Sequence, residues 1–282
     1  LHQLSGIDLW FLHKLEHLQQ LYQSLEGRTL ADLDRTTWQT LKTYGFSDAD
    51  IARALHVSAE ECTQARQACQ VRPVYHLVDT CAGEFPAATP YYFSSYRGSN
   101  EVEVASPKPK ALILGSGPIR IGQGIEFDYC SVRALWALRK YGWETVIINN
   151  NPETVSTDFD TADRLYFEPL TAEDVMEVIH LENIRMVFTQ FGGQTALNLA
   201  APLAARGVEL AGTPLEAIDM TEDRERCRQL LHRLGLRQPP GGSGSSEEEA
   251  LAIAERVGYP VVVRPSYVIG GRAMAIVANE AE

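Results

Sequence analysis

Residues 111–129, ALILGSGPIRIGQGIEFDY, decide the fold class of this chain. The four apolar residues that open the stretch predict a short buried strand. The glycines at 115 and 117 predict a tight turn directly after it. From about Glu126 to Lys140 the pattern predicts a helix. A strand, a glycine-rich loop and a helix in this order are the beginning of a βαβ unit.

The same alternation continues along the chain. Short apolar runs predict further strands at Thr145–Ile148, Leu165–Phe167 and Met186–Thr189. A helix capped by Thr171 follows the third strand of the series, and another helix follows Gly192-Gly193. Because short buried strands alternate with helices, the pattern predicts a parallel sheet that is covered on both faces.

The N-terminal part has a sequence pattern typical of helices. Leucines at 9, 12, 15, 18, 21 and 25 recur at three- and four-residue steps, and Gly27 is a plausible stop. Ser47 opens a predicted helix from Asp48 to Leu55, and Ser58 opens the next with a capping box. Residues 71–106 lose this periodicity, and residues 98–109 are typical of a linker.

The last part of the chain is too short to close a core of its own. Helices are predicted from Asp223 to Leu234 and from Glu247 to Val257, with strands at 260–264 and 273–277. The prediction is therefore an α/β protein with an N-terminal all-α domain, ending in an incomplete third domain. We expect the chain to be a fragment.

Composition narrows the possible functions. The chain has 282 residues, a net charge of −12 and 45% hydrophobic residues, which is typical of a globular protein and weighs against nucleic-acid binding. Its five cysteines form no CxxC pair, so neither a disulfide framework nor a zinc site is indicated. No apolar run reaches the ~18–20 residues that span a bilayer. The chain begins at Leu1 without a leader pattern, and we expect reduced thiols in a cytoplasmic protein.

Residues 49–62 have the pattern of a DNA-binding helix-turn-helix motif. Glu60 and Glu61, however, begin the second helix, where they would face phosphates. This placement favours an ordinary pair of packed helices.

The glycine loop after the first predicted strand permits three interpretations. A dinucleotide site is disfavoured, because Arg120 replaces the third glycine and Asn149–Asn151 stand where a ribose-binding acid is expected. The loop either permits a tight turn or lines a ligand crevice at the carboxyl ends of the strands. Its amides and glycines suit a wall of such a crevice better than a catalytic centre.

Arg264 and the Gly270-Gly271-Arg272 turn form a candidate phosphate site. Arg264 ends an apolar strand, and Pro265 favours an extended backbone at Arg264. A guanidinium can hold two phosphate oxygens, and amides of a glycine turn can cover phosphates. The alternative is a hairpin that carries incidental surface arginines.

Five motifs together resemble carbamoyl-phosphate synthase large subunits. They lie at residues 112–129, 149–160, 190–195, 222–226 and 263–274, and the resemblance covers residues 110–282. Residues 1–104 resemble the helical oligomerisation domain of that family, with 78–85 and 90–96 like its end.

The resemblance implies three domains. These are a helical oligomerisation domain at 1–104, a pre-ATP-grasp α/β domain at 108–221, and the start of an ATP-grasp domain at 222–282. The forms of residues 117–124 and 264–268 look like the second half of the large subunit, which phosphorylates carbamate with ATP to give carbamoyl phosphate.

The resemblance also implies a site and a cofactor. Arg224 and Arg264 match the family's ATP-contacting arginines, and Gly270 and Gly271 match its phosphate-covering glycines. The ligands for Mg²⁺ or Mn²⁺ are expected beyond Glu282. No catalytic residue is expected in this chain, which is therefore expected to be inactive alone.

The family to which the chain is similar is a glutamine-dependent, ATP-consuming ligase of arginine and pyrimidine biosynthesis. Its members work with a small glutaminase subunit, and the resemblance implies self-association through the helical domain, without a nucleic-acid or membrane partner. Two alternatives remain open: another ATP-grasp enzyme such as a biotin carboxylase, and an assembly module without catalysis.

Overall fold

The computed structural model describes residues 1–119, 122–264 and 274–282. The chain divides into two compact units, Leu1–Gly212 and Thr213–Glu282. Within the described ranges, no helix combines the length and the apolar character needed to cross a membrane.

The first unit begins with a helical segment, and capping side chains set its helix starts. Ser47 and Asp50 form one capping box, and Ser58 and Glu61 form another. The two capping boxes confirm the two predicted helix starts. A helix that the sequence pattern did not predict precedes them and contributes the buried Trp38. The five helices are α1 (His2–Ser5), α2 (Leu9–Gln23), α3 (Arg35–Thr43), α4 (Asp48–Leu55) and α5 (Ala59–Ala68).

The rest of the first unit is built on a six-stranded sheet in the order β1-β2-β5-β4-β3-β6. All neighbouring pairs are parallel except β1 with β2, which is antiparallel at one edge. The predicted parallel sheet is thereby confirmed. Its strands are β1 (Val74–Leu77), β2 (Tyr91–Ser95), β3 (Lys110–Leu114), β4 (Glu144–Ile148), β5 (Arg164–Tyr166) and β6 (Met186–Phe188).

Strands β1 and β2 were not predicted from the sequence. They lie in residues 71–106, where no periodicity marks them, and most of their residues are only partly buried. Strand β2 joins the sheet through Tyr91, which pairs with Leu165 of β5. The partner is 74 positions away in the chain, so the pairing depends on tertiary context rather than on local pattern.

Helices cover both faces of the sheet, as the alternation predicted. Along β3, Leu112 and Leu114 belong to one apolar cluster and Ile113 to another, because neighbouring side chains point to opposite faces. The first cluster includes Val175 and Val178, and the second includes Leu135. The covering helices are α6 (Gly124–Lys140), α7 (Ala172–Glu182), α8 (Gly193–Leu197) and α9 (Ala200–Ala204).

The second unit is small and has little interior. In its described part, Ile218 is the one buried apolar side chain, whereas Val262 and Ile276 on its hairpin are 61% and 76% exposed. Its strands pair antiparallel, with Val262 opposite Ile276. The elements are α10 (Leu215–Glu222), α11 (Arg224–Arg233), α12 (Glu247–Val257), β7 (Val261–Val263) and β8 (Ala275–Val277).

Candidate functional site

The loops that follow β3 and β4 meet at the carboxyl edge of the sheet, and Asn149 holds them together. This side chain is fully buried. Its Oδ1 accepts hydrogen bonds from the backbone N–H of Gly117 at 3.0 Å and of Asn151 at 3.2 Å. A buried amide needs such partners, because an unsatisfied polar group in the interior is costly. Asn149 therefore orients the walls of this edge.

Glycine at 115 is required by close packing. A β-carbon there would lie 2.7 Å from Cγ of Asn149, which is closer than van der Waals contact allows. At Gly117 the backbone adopts φ +64°, a conformation that favours glycine. The interpretation that the glycines permit a tight turn is thus confirmed, and the interpretation that the loop lines a ligand crevice stays a prediction.

Asp128 on α6 fixes a third loop at the same edge. Its carboxylate accepts hydrogen bonds from the N–H of Val155 at 2.9 Å and of Ser156 at 3.1 Å. These contacts hold a short 3-10 helix, Val155–Thr157. Sequence reasoning did not predict this role. An acid on the inward face of a predicted helix was the signal that could have identified it, because buried carboxylates are normally paired.

The hydroxyl of Ser116 differs from its neighbours. Ser116 is 3% exposed, and its Oγ has no hydrogen-bond partner among the described residues. The other polar side chains of the edge, Asn149 and Asp128, bond to backbone N–H groups of the loops. Asn149 and Asp128 thereby hold the loops at the sheet edge, whereas Ser116 takes no part in this bonding.

The candidate nucleotide-binding arginines both lie in the second unit. Arg224 is the first residue of α11, directly after the cap residue Asp223, which accepts a hydrogen bond from the N–H of Arg226 at 2.9 Å. Arg264 directly follows β7. Both side chains are exposed. Gly270 and Gly271 lie outside the described residues.

The described residues offer no group of three or more His, Cys, Asp or Glu side chains that could hold a metal ion. Two cavities occur in the first unit, one of about 530 Å³ and one of about 1370 Å³, and neither is lined by Arg224 or Arg264. The arginines can therefore neutralise phosphate charge, but the described part of the chain supplies no metal site beside them.

Three family models match the chain in succession. The oligomerisation domain of the carbamoyl-phosphate synthetase large chain matches residues 1–70, the carbamoyl-phosphate synthase pre-ATP-grasp domain matches 107–220, and the ATP-binding domain of the carbamoyl-phosphate synthase L chain matches 223–282. The chain belongs to the carbamoyl-phosphate synthase large-chain family. The resemblance described from the motifs is thereby confirmed, and all three models name this enzyme rather than a biotin carboxylase.

Solved structures of other enzymes are also similar to this chain. The biotin carboxylase domain of Hydrogenobacter thermophilus 2-oxoglutarate carboxylase, solved with MgADP, ADP and bicarbonate, has 25% identity and a TM-score of 0.47, covering 62% of this chain and 39% of that chain. Rhizobium etli pyruvate carboxylase has 19% identity and a TM-score of 0.46, covering 62% and 16%. Bacillus anthracis D-alanine–D-alanine ligase, complexed with ATP, has 16% identity and a TM-score of 0.39, covering 62% and 51%.

This chain therefore spans about two fifths of the Hydrogenobacter domain and about half of the Bacillus ligase.

Proposed function

We propose that this chain is part of the large subunit of a glutamine-dependent carbamoyl-phosphate synthase, from the half that phosphorylates carbamate with ATP. The observation that carries the proposal is the succession of three large-chain domains in one polypeptide, ending in an ATP-binding segment. The forms of residues 117–124 and 264–268 support the second half rather than the first.

Within the proposal, Arg224 and Arg264 bind the phosphates of ATP. Both residues are exposed, one at a helix start and one directly after a strand, and a guanidinium group can donate two parallel hydrogen bonds to phosphate oxygens. Gly270 and Gly271 are proposed to cover the phosphates with backbone N–H groups. ATP supplies the phosphoryl group that carbamate accepts, and charge neutralisation around that group is what these residues contribute.

The proposed metal, Mg²⁺ or Mn²⁺, does not fit the described part of the chain. A hard cation needs several carboxylate or amide oxygens, and the described residues provide no such group. We therefore assign its ligands to the remainder of the ATP-grasp domain and derive no catalytic step from the residues present here.

The wider function follows from the same proposal. The parent enzyme is an ATP-dependent ligase that takes ammonia from glutamine through a small glutaminase subunit and serves arginine and pyrimidine biosynthesis in the cytoplasm. The helical segment is proposed to mediate self-association, in keeping with the oligomerisation-domain match.

The parent enzyme with Arg224→Ala tests the proposed ATP contact. A hydrogen bond to a charged group contributes ~1.5–3 kcal/mol, so the KM for ADP in ATP synthesis from carbamoyl phosphate should rise about 10- to 100-fold. Arg228→Ala is a matched control, because Arg228 lies on the same helix and pairs with Glu225 at 2.6 Å. An unchanged KM in the Arg224 variant would contradict the assignment.

A further inference from the structure

Two of the three apolar cores of the first unit are built from different segments of the chain and share no residue. One lies in the helical segment around Trp38 and Ile51. The other lies against the sheet around Leu112 and Val178. Charged side chains, rather than a continuous apolar core, occupy much of the boundary between α3–α5 and α7.

On the helical side of the boundary, Asp48 is bound by two buried cations. The guanidinium of Arg66 is fully buried and donates to both oxygens of Asp48, with distances of 2.9–3.1 Å. Lys42 lies 3.3 Å from Asp48. Two cations around one carboxylate leave an excess positive charge on this side, and buried charge must be compensated.

Helix α7 supplies the compensating carboxylates. Glu173 and Glu177 are one turn apart and so lie on the same face of the helix. Glu173 pairs with Lys42 and accepts a hydrogen bond from the N–H of Asp48, the first residue of α4, at 2.7 Å. Glu177 pairs with Arg66 at 2.9 Å and with Arg72 at 3.0 Å.

The resulting interdomain charge network contains three cations and three carboxylates. Its members are Lys42, Arg66, Arg72, Asp48, Glu173 and Glu177. The positive and negative charges of the network are equal in number only when α7 is in place.

The cavity of about 1370 Å³ lies beside the network and is lined from both sides. Phe46 and Thr63 of the helical segment line it, as do Met176 and His180 of α7. Because the cavity is large and polar groups line it, water can enter and solvate the charges when they separate.

We infer that the interdomain charge network is a reversible switch: it opens as a unit and releases the helical segment from α7 while both apolar cores stay folded. The two matched domains at 1–70 and 107–220 can then change their mutual position without unfolding. Such a joint is a physical route by which assembly through the helical segment can affect the sheet domain.

Hydrogen exchange of the 282-residue chain, followed residue by residue by NMR, tests this inference without any substitution. The N–H of Asp48 reports the network, because Glu173 is its acceptor. The N–H of Ile51, bonded to the carbonyl of Ser47, reports the helical core. The N–H of Ile113 in β3 reports the sheet core.

The inference predicts that the Asp48 amide exchanges faster than the other two and with little dependence on denaturant concentration. Exchange of all three amides at one rate, with one denaturant dependence, would overturn it, because the domains would then separate only by global unfolding.

The Glu177→Gln variant tests whether the network opens as a unit. Glu177 does not contact the Asp48 N–H, yet removing its charge should speed exchange of that amide by about tenfold or more, since the network then carries one positive charge that no carboxylate compensates. The amides of Ile51 and Ile113 should change less than about twofold. Glu16→Gln is the control, because Glu16 is on an exposed face of α2 and its weak pair with His13 has little energetic effect. If the exchange rate of the Asp48 amide is unchanged in the Glu177→Gln variant, the network does not open as a unit.

Discussion

At Gly192 the backbone passes so close to the end of β3 that a β-carbon would lie 2.4 Å from the carbonyl oxygens of Leu114 and Gly115. These are backbone atoms and cannot rotate away. We therefore expect Gly192→Ala to destabilise the chain by about 1–3 kcal/mol, the usual cost of overpacking. Urea unfolding measures this loss as a lower midpoint.

Gly241→Ala serves as the control for that prediction. A β-carbon at 241 would meet nothing within 4 Å. Its unfolding midpoint should match that of the unmodified chain, and an equal loss in both variants would show that close approach at Gly192 is not the cause.

Glu168 makes the stability of the chain depend on pH. Burial raises the pKa of its carboxyl to about 7, although the Ser94 hydroxyl at 2.8 Å and the Ser94 N–H both donate to it. The Asp174 carboxylate raises the pKa further. Because the pKa in the folded state exceeds the unfolded value, this group lowers stability as pH rises from about 4.5 to 7.

Substitution of Glu168 by Gln removes that pH dependence. The quantity to compare is the free energy of unfolding of the variant minus that of the unmodified chain. This difference should be about 3 kcal/mol more favourable to the variant above pH 7 than at pH 4. Urea unfolding at a series of pH values measures the gap. A stability difference that stays constant from pH 4 to 8 would contradict the raised pKa.

Among the elements, local capping made the starts of some helices predictable. Helix α4 and helix α12 have the predicted bounds, because Ser47 and Ser246 accept hydrogen bonds from the N–H groups three residues later. Strands β1 and β2 were missed because their register depends on β5, far away in the chain. Local chemistry is visible in a sequence, whereas pairing with a distant strand is not.

The candidate site was also only partly predictable from the sequence. The glycine loop and the Asn149 turn were placed at the sheet edge, since parallel strands bring their carboxyl ends together. The loop-holding role of Asp128 depends on the contact of α6 with residues 155–156, and the sequence alone does not show which loop an acid on the inward face of α6 holds. The ATP-contacting roles of Arg224 and Arg264 came from resemblance and stay predictions.

The prediction of self-association can be tested on helix α2. Trp10 and Phe11 are 60% and 58% exposed, and no residue of the helix is buried. Covering such side chains with a second copy stabilises the association by removing apolar surface from water. We expect Trp10→Glu with Phe11→Glu to shift sedimentation of the chain toward the monomer.

The control for α2 is Lys14→Glu, which changes charge on the same helix without removing an exposed aromatic side chain. If the unmodified chain sediments as a monomer at high concentration with α2 folded, the prediction is wrong.

For the chain taken as a whole, we predict that ATP-dependent chemistry needs further residues. The arginines are present, but the described residues contain no group that could hold a metal ion. We therefore expect the isolated chain to hydrolyse no ATP in response to carbamate. Carbamate-stimulated release of ADP above a heat-denatured control would contradict this expectation.

The Arg264→Ala variant of the parent enzyme distinguishes the two phosphorylation reactions. If this chain belongs to the carbamate-phosphorylating half, the ATP requirement of carbamate phosphorylation should rise, as measured by ATP synthesis from carbamoyl phosphate and ADP. The bicarbonate-dependent ATPase should remain largely intact. Equal loss of both reactions would contradict the assignment to the second half.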